Sequence, residues 1–292
     1  MGERSTTAAS TLRPEAERLA DLFPALMIEA ERVAHTVAAG LHGRRRAGPG
    51  ETFWQHRPYV FGDPVSMIDW RQSAREAQRL YIRQNEWEAA AAVWLWRDGS
   101  PSLDFASDAA AQTKRRRADI LTTALAILLS EAGERVGLLG RARRPYQGRS
   151  APSRILEHLC AASDDDDAAP PMQQVAPGAK VLFISDFFDE PSRLERATAF
   201  YASQGAEGAL LQIVDPSEED FPFKGRTEFE DLESPERLMF GEAGSIAKDY
   251  RAAFAAHRDR LTEIARRAGW SFTAHRTDNS PQTALLALYA LF

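Results

Sequence analysis

Four consecutive apolar residues, Val181-Leu182-Phe183-Ile184, run straight into Ser185-Asp186. A strand with one face in water alternates apolar and polar positions, whereas an unbroken run fits a strand covered on both faces, as in a parallel sheet between helices. From Ala91 onward, short apolar runs alternate with helical stretches, which is the pattern of an α/β domain. Strands are expected at 92–97, 135–139, 180–184, 208–214 and 271–274. Helices are expected at 107–132, 153–162, 191–203, 245–268 and 281–291. The expected fold is α/β, with a doubly wound, mostly parallel sheet and helices on both faces.

The chain before this domain has a different texture. Residues 1–12 are rich in Ser, Thr and Ala and read as a disordered tail. From Arg13 to Ala39, Leu19, Leu22, Phe23, Leu26, Val33 and Val37 recur at helical spacing, with Pro14 suited to a first turn and Pro24 to a kink. Residues 40–90 carry glycines among Arg44, Arg45, Arg46, Arg57, Arg71, Arg75, Arg79 and Arg83, and read as loops and short strands ending in a strand at 80–84. The expected division is therefore 1–12, an N-terminal helix with an Arg-rich segment over 13–90, and the sheet domain over 91–292. A hairpin is expected near 221–241, and Asp164 to Asp167 reads as an exposed acidic loop.

With 292 residues and 44% hydrophobic content, the chain can bury a sizeable core. Its net charge of −6 gives no general attraction to nucleic acid or anionic lipid. One cysteine, Cys160, rules out an internal disulfide and fits a reducing compartment, so cytoplasm is the expected location. The longest apolar stretches, 121–129 and 284–292, fall short of the roughly 20 residues that span a bilayer.

Two clusters carry chemistry. Asp98-Gly99-Ser100-Pro101-Ser102 follows the strand at 92–97 and offers a carboxylate and two hydroxyls at every second position, hard oxygen donors of the kind Mg²⁺ prefers. Asp186 follows another strand end, and ligands in open α/β sheets sit beyond such ends. The plain alternative makes Asp98 and Ser102 turn formers and Asp186 or Asp189 a helix cap before Pro191. The second cluster is Gly62-Asp63 with Asp69-Trp70-Arg71 and Arg75, where carboxylates interleave with arginines. It reads either as a buried ion-pair network or as a docking surface. Arg115-Arg116-Arg117 opens a helix and reads as a solvated face.

Gly48-Pro49-Gly50-Glu51-Thr52-Phe53, Arg57-Pro58-Tyr59, Gly62-Asp63, Ile68-Asp69-Trp70-Arg71 and Ala74-Arg75 are followed in order by the Asp98 motif. After them come Gly133-Glu134-Arg135-Val136-Gly137-Leu138, Ile184-Ser185-Asp186-Phe187 and Asp215-Pro216. This series resembles the bacterial family catalogued as domain of unknown function 58, whose members resemble von Willebrand factor type A domains. The resemblance implies a metal-ion-dependent adhesion site with Asp98, Ser100 and Ser102 as its first motif and Asp186 as its later aspartate. Such sites take a further ligand from a threonine, and the corresponding loop here, 147–153, offers only Ser150 or Ser153. It also implies Mg²⁺ or Mn²⁺ as cofactor and a MoxR-type AAA+ ATPase as partner.

No P-loop, Gly-x-Ser-x-Gly elbow or His-Glu-x-x-His pair occurs. The expected function is a non-enzymatic, metal-dependent interaction module. The enzyme alternative, phosphoryl transfer or hydrolysis using Asp98, is disfavoured in sequence because no lysine with an obvious charge-neutralising role sits near a strand end. A nucleic-acid surface on residues 44–83 is disfavoured by the interleaved Glu51, Asp63, Asp69, Glu76 and Glu86.

Overall fold

The computed structural model describes residues 27–38, 52–60, 65, 68–75, 79–86, 91–110, 112–161, 169–230, 232 and 237–291. The expected tail, Asp63, Arg44 to Arg46 and Asp164 to Asp167 lie outside the described residues. The chain forms two compact units, Arg44–Ala90 and a larger one made of Met1–Gly43 with Ala91–Phe292.

The larger unit begins with helix α1, residues 27–38. Ala30, Val33, Ala34 and Val37, spaced at one helical face, are buried in its core. In the smaller unit, β1 (Thr52–Pro58) pairs antiparallel with β2 (Tyr81–Glu86), with a register shift between Phe53 and Gln55. Between them lies the single turn α2 (Trp70–Ser73), capped by Asp69, whose carboxylate accepts from the Gln72 amide at 2.9 Å. Trp70 is 61% exposed, and Arg71 and Arg75 are exposed as well. That exposure corrects the expectation of a buried network for these three side chains.

The remaining elements of the larger unit are β3 (Ala92–Arg97), α3 (Lys114–Glu131), β4 (Arg135–Leu138), β5 (Tyr146–Gln147), α4 (Ala151–Cys160), β6 (Lys180–Ser185) and α5 (Pro191–Ser203). They continue through β7 (Glu207–Val214), α6 (Pro216–Asp220), β8 (Thr227–Glu230), β9 (Arg237–Phe240), α7 (Ala247–Arg267), β10 (Ser271–Arg276) and α8 (Pro281–Tyr289). Six strands form one sheet in the order β10-β7-β6-β3-β4-β5, parallel except for the short antiparallel edge β5. The expected α/β architecture is present, and it is consistent with a von Willebrand type A-like fold. The helix expected from Ser107 begins only at Lys114, because Pro101–Asp104 forms a 3₁₀ turn and Thr113 supplies the cap. β8 and β9 are the two strands of an antiparallel hairpin.

Strand alternation sorts the core into two layers. Val93 and Leu95 of β3, with Leu182 and Ile184 of β6, pack among α1, α3, α4 and α8. Trp94 and Trp96, with Val181 and Phe183, pack among α5, α7 and Trp270. The Trp96, Tyr201 and Trp270 rings stand edge-on to Phe183 at centroid distances of 5.7, 5.7 and 5.2 Å.

This second layer depends on the missing side chain of Gly208. A Cβ there would lie 2.6 and 2.7 Å from atoms of the Trp270 ring and 2.7 Å from the Val181 carbonyl oxygen. Gly208→Ala is expected to destabilise the protein by about 1–3 kcal/mol, through displacement of Trp270. Urea unfolding of the two proteins measures it, and an unchanged midpoint would show that the layer accommodates the methyl group.

Candidate metal centre

From β3 the chain moves to β4 on one side and later returns to place β6 on the other. The strand order therefore reverses beside β3, and a crevice in such a sheet lies beyond the carboxyl ends of the strands at the reversal. Trp96 pairs with Phe183 and Arg97 with Ile184. The Asp98 amide donates to the Ile184 carbonyl at 2.9 Å, which sets Asp98 beside the Ser185-Asp186 step.

Asp98 is 2% exposed. One of its carboxylate oxygens accepts from the Ser100 amide at 2.7 Å, the other from the Ser185 hydroxyl at 2.5 Å. The Ser100 and Ser102 hydroxyls lie 2.9 Å apart. Asp98 thus does form the turn that the plain reading predicted, and the same turn gathers the hydroxyls. Burial, and then the neighbouring Asp186 charge, push the Asp98 pKa up to about 6 against the hydrogen bonds from Ser185 and Ser100. Neither Asp186 nor Asp189 caps α5: Glu190 occupies the cap position and makes no side-chain cap bond, while Asp189 pairs with Arg193 at 2.8 Å.

Past Asp186 the backbone turns through Phe187, a non-glycine residue at φ 58°. Such a conformation costs about 1–2 kcal/mol. It is held by the Phe187 amide, which donates to the Ser185 hydroxyl at 2.8 Å, and by burial of the Phe187 ring in the second layer. Ser185 therefore joins the strained turn to the Asp98 carboxylate.

The group missed in sequence is Lys114. Its ammonium donates to Asp186 Oδ2 at 2.7 Å and to Glu218 Oε1 at 2.5 Å, with the side chain 1% exposed. Burial works to lower its pKa, but Asp186 and Glu218 outweigh burial and raise it, so the ammonium stays charged. This corrects the expectation that no lysine near a strand end has a charge-neutralising role: Lys114 opens α3, and its ammonium meets Asp186 just past the end of β6. A signal was present: Lys114-Arg115-Arg116-Arg117 places four cations in the first turn of α3, where the helix dipole disfavours them. Such a run calls for compensation elsewhere.

Each of the four has it, so the solvated-face reading of 115–117 is also corrected. Arg115 donates to the Gly99 and Ser100 carbonyls at 3.2 and 2.9 Å and pairs with Asp104. Arg116 pairs with Glu29 of α1 at 2.9 Å. Arg117 donates to the Thr277 and Asn279 carbonyls at 2.8 and 2.6 Å. It also lies 2.8 Å from Nε2 of His275, whose pKa burial and the guanidinium push down to about 4. A fifth cation, Arg97, ends β3: it donates to the Asp98 carbonyl at 2.8 Å and pairs with Asp119 of α3 at 2.9 Å. Arg97 and Arg115 thereby fix the carbonyls of the Asp98-Gly99-Ser100 loop.

Asp98, Ser100, Ser102 and Asp186 thus share the carboxyl edge of the sheet. Asp215, at the end of β7, joins that edge by accepting from the Ser107 amide at 2.9 Å. Ser150 is exposed at the start of α4 and makes no side-chain cap bond. The donor chemistry of Asp98, Ser100 and Ser102 fits a hard divalent ion. Among the described residues no group of three or more His, Cys, Asp or Glu is arranged to hold a metal, so an ion here relies on hydroxyl and solvent oxygen beside Asp98.

The fold and this edge define an α/β protein with a mostly parallel sheet, helices on both faces and an acidic, hydroxyl-bearing centre at the strand-order reversal. The chain belongs to the family described as protein of unknown function DUF58, whose model matches residues 55–260. An uncharacterized protein of Mycobacterium tuberculosis strain H37Rv, Rv1480, is 27% identical over 281 residues, covering 89% of this chain and 86% of the relative. The uncharacterized protein Mb1516 of Mycobacterium bovis matches to the same extent. Among solved structures, the conserved hypothetical protein BatB from Bacteroides thetaiotaomicron aligns at a TM-score of 0.42 and 13% identity, over 69% of this chain and 97% of that one. An aerotolerance-related membrane protein from Bacteroides fragilis aligns at 0.43 and 15%, over 70% and 100%. In this chain, no helix among the described residues is long and apolar enough to cross a membrane.

The raised Asp98 pKa has a measurable consequence. Its carboxyl holds a proton more tightly when folded than when unfolded, so its contribution to stability is complete below about pH 4 and is lost as pH rises through about 6. Across that window the wild type is expected to lose about 3 kcal/mol relative to Asp98→Asn, which has no group to titrate. Paired urea melts at pH 4 to 7 measure the difference. A difference that stays flat would overturn the buried-carboxyl assignment.

Proposed function

We propose that this chain is a non-enzymatic protein-interaction module of von Willebrand type A-like design, whose adhesion-type site takes Mg²⁺ or Mn²⁺. The observation that carries the reading is the Asp98 carboxylate, buried beside a second carboxylate and opening onto two serine hydroxyls. Two like charges forced together out of water are relieved by a divalent cation. In this reading Asp98, Ser100 and Ser102 hold the ion directly or through water, Asp186 holds a coordinating water, and Ser150 is the hydroxyl nearest in sequence to the threonine such sites use. The ion supplies an electrophilic point that an Asp or Glu of a partner completes. Arg97 and Arg115 keep the loop in place for it.

The partner that the family resemblance implies is a MoxR-type AAA+ ATPase, with this chain as an adaptor in complex assembly or maturation. The exposed Trp70, Arg71 and Arg75 offer the smaller unit a docking role in the same interaction. The enzyme alternative gains the lysine it lacked in sequence, but that ammonium is buried and bound to two carboxylates, so it is not free to meet a substrate phosphate. Interaction is therefore the better-supported reading.

Calorimetric titration with Mg²⁺ and Mn²⁺ is expected to give saturable binding for the wild type and at least a tenfold loss for Asp98→Ala. Capture of the ATPase from the native cell extract is expected with metal and not with chelator. Metal binding that is equal in both proteins, or absent from both, would sink the metal claim. Phosphate-ester turnover that disappears in Asp98→Ala would favour the enzyme.

A further inference from the structure

A cation site competes with positive charge that the protein already holds nearby. Here that charge is a buried ammonium. Lys114 is 1% exposed, its Nζ is bound to Asp186 and Glu218, and the rings of Phe188 and Phe105 stand 5.2 and 5.8 Å from it. Asp186 is the carboxylate whose charge acts on Asp98, and one of its oxygens is committed to Lys114. Of the three carboxylates Asp98, Asp186 and Glu218, Lys114 binds the last two directly, whereas Arg97 and Arg115 bind backbone carbonyls of the Asp98 loop.

We infer that Lys114 is an internal counter-cation that sets the divalent-metal affinity of this site by holding Asp186, the carboxylate beside Asp98. The inference rests on the metal reading given above. The ammonium answers part of the charge that Asp186 and Glu218 bring to the crevice. It also gives the site a tuning residue outside the Asp98-Ser100-Ser102 motif. Were an ion held by Asp98, Ser100 and Ser102, Lys114 would compete with it for Asp186, while Glu218 would remain a partner for the ammonium.

Lys114→Met removes the ammonium and leaves two buried carboxylates unanswered, which costs stability. Lys114→Met/Glu218→Gln removes one charge of each sign, keeps the net charge of the cluster and still frees Asp186. Both full-length variants and the wild type are titrated calorimetrically with Mg²⁺ and with Mn²⁺, with circular dichroism reporting folding. A unit charge one carboxylate away changes divalent affinity by at least about tenfold at an effective dielectric near 20. The single variant, where folded, is therefore expected to bind at least tenfold more tightly than wild type, and the double variant, which frees Asp186 at unchanged net charge, more tightly than wild type by a smaller factor. Adding Asp98→Ala to the double variant is expected to abolish the gain.

If the wild type binds metal and the double variant binds equally or more weakly, Lys114 is structural only, and the inference falls while the metal reading stands. A gain that survives without Asp98 also overturns it, since the ion then sits elsewhere. No binding by any of the proteins removes the metal reading and this inference together.

Discussion

The ammonium of Lys114 sits where three parts of the fold meet: the first turn of α3, the end of β6 at Asp186, and Glu218 on α6. Removing one partner of a buried ion pair costs about 3–5 kcal/mol, because a charge is then left in a low dielectric without an answer. Glu218 also reaches back to the Asp215 amide at 2.8 Å, closing a capping box in which the Asp215 carboxylate receives the Ser217 amide. The helix start after β7 and the turn after β6 are therefore coupled through a single lysine.

That coupling follows from the sheet. Reversal of strand order beside β3 leaves the carboxyl ends of β3 and β6 adjacent, with helices departing to opposite faces. Residues that follow those ends are drawn into one crevice whatever their type. Placing Asp98 and Asp186 there creates repulsion, and the chain answers it with hydrogen bonds to Asp98 and the ammonium at Asp186. The basic first turn of α3, unfavourable against its own dipole, is thereby tied to the crevice, to α1 and to the turn after β10.

The sheet was largely legible because its strands are buried on both faces and bounded by clear turns. Val181 to Ile184 shows no alternation, and that alone argued for helices on both sides. Asp98, Ser100, Ser102 and Asp186 were legible for the same reason, since each follows a strand end. Lys114 was not, because its role depends on two carboxylates far away in sequence, at 186 and 218. Strand periodicity places backbones, whereas an ion pair across three elements is set by how helices sit on the sheet. The true start of α3 was hidden in the same way: residues 107–113 are compatible with a helix, and the 3₁₀ turn at Pro101 with the cap at Thr113 overrides them.

The loop that carries the serines is fixed before anything binds. Arg97 holds the Asp98 carbonyl from one side, Arg115 holds the Gly99 and Ser100 carbonyls from the other, and the Ser100 amide is taken by Asp98 itself. The cost of ordering these residues falls on folding, so a ligand at the crevice does not bear it again. Rigidity extends past the loop, because Phe188 covers Lys114 on one side and touches Phe254 and His257 of α7 on the other, at centroid distances of 6.2 and 5.6 Å. Rings continue from Phe254 through Tyr250 and Phe221 to Phe229 of the β8-β9 hairpin. A two-stranded ribbon is marginal alone. This one is anchored by a line of aromatic contacts that ends above the ammonium, so the electrostatics of the crevice and the seating of the hairpin rest on the same packed column.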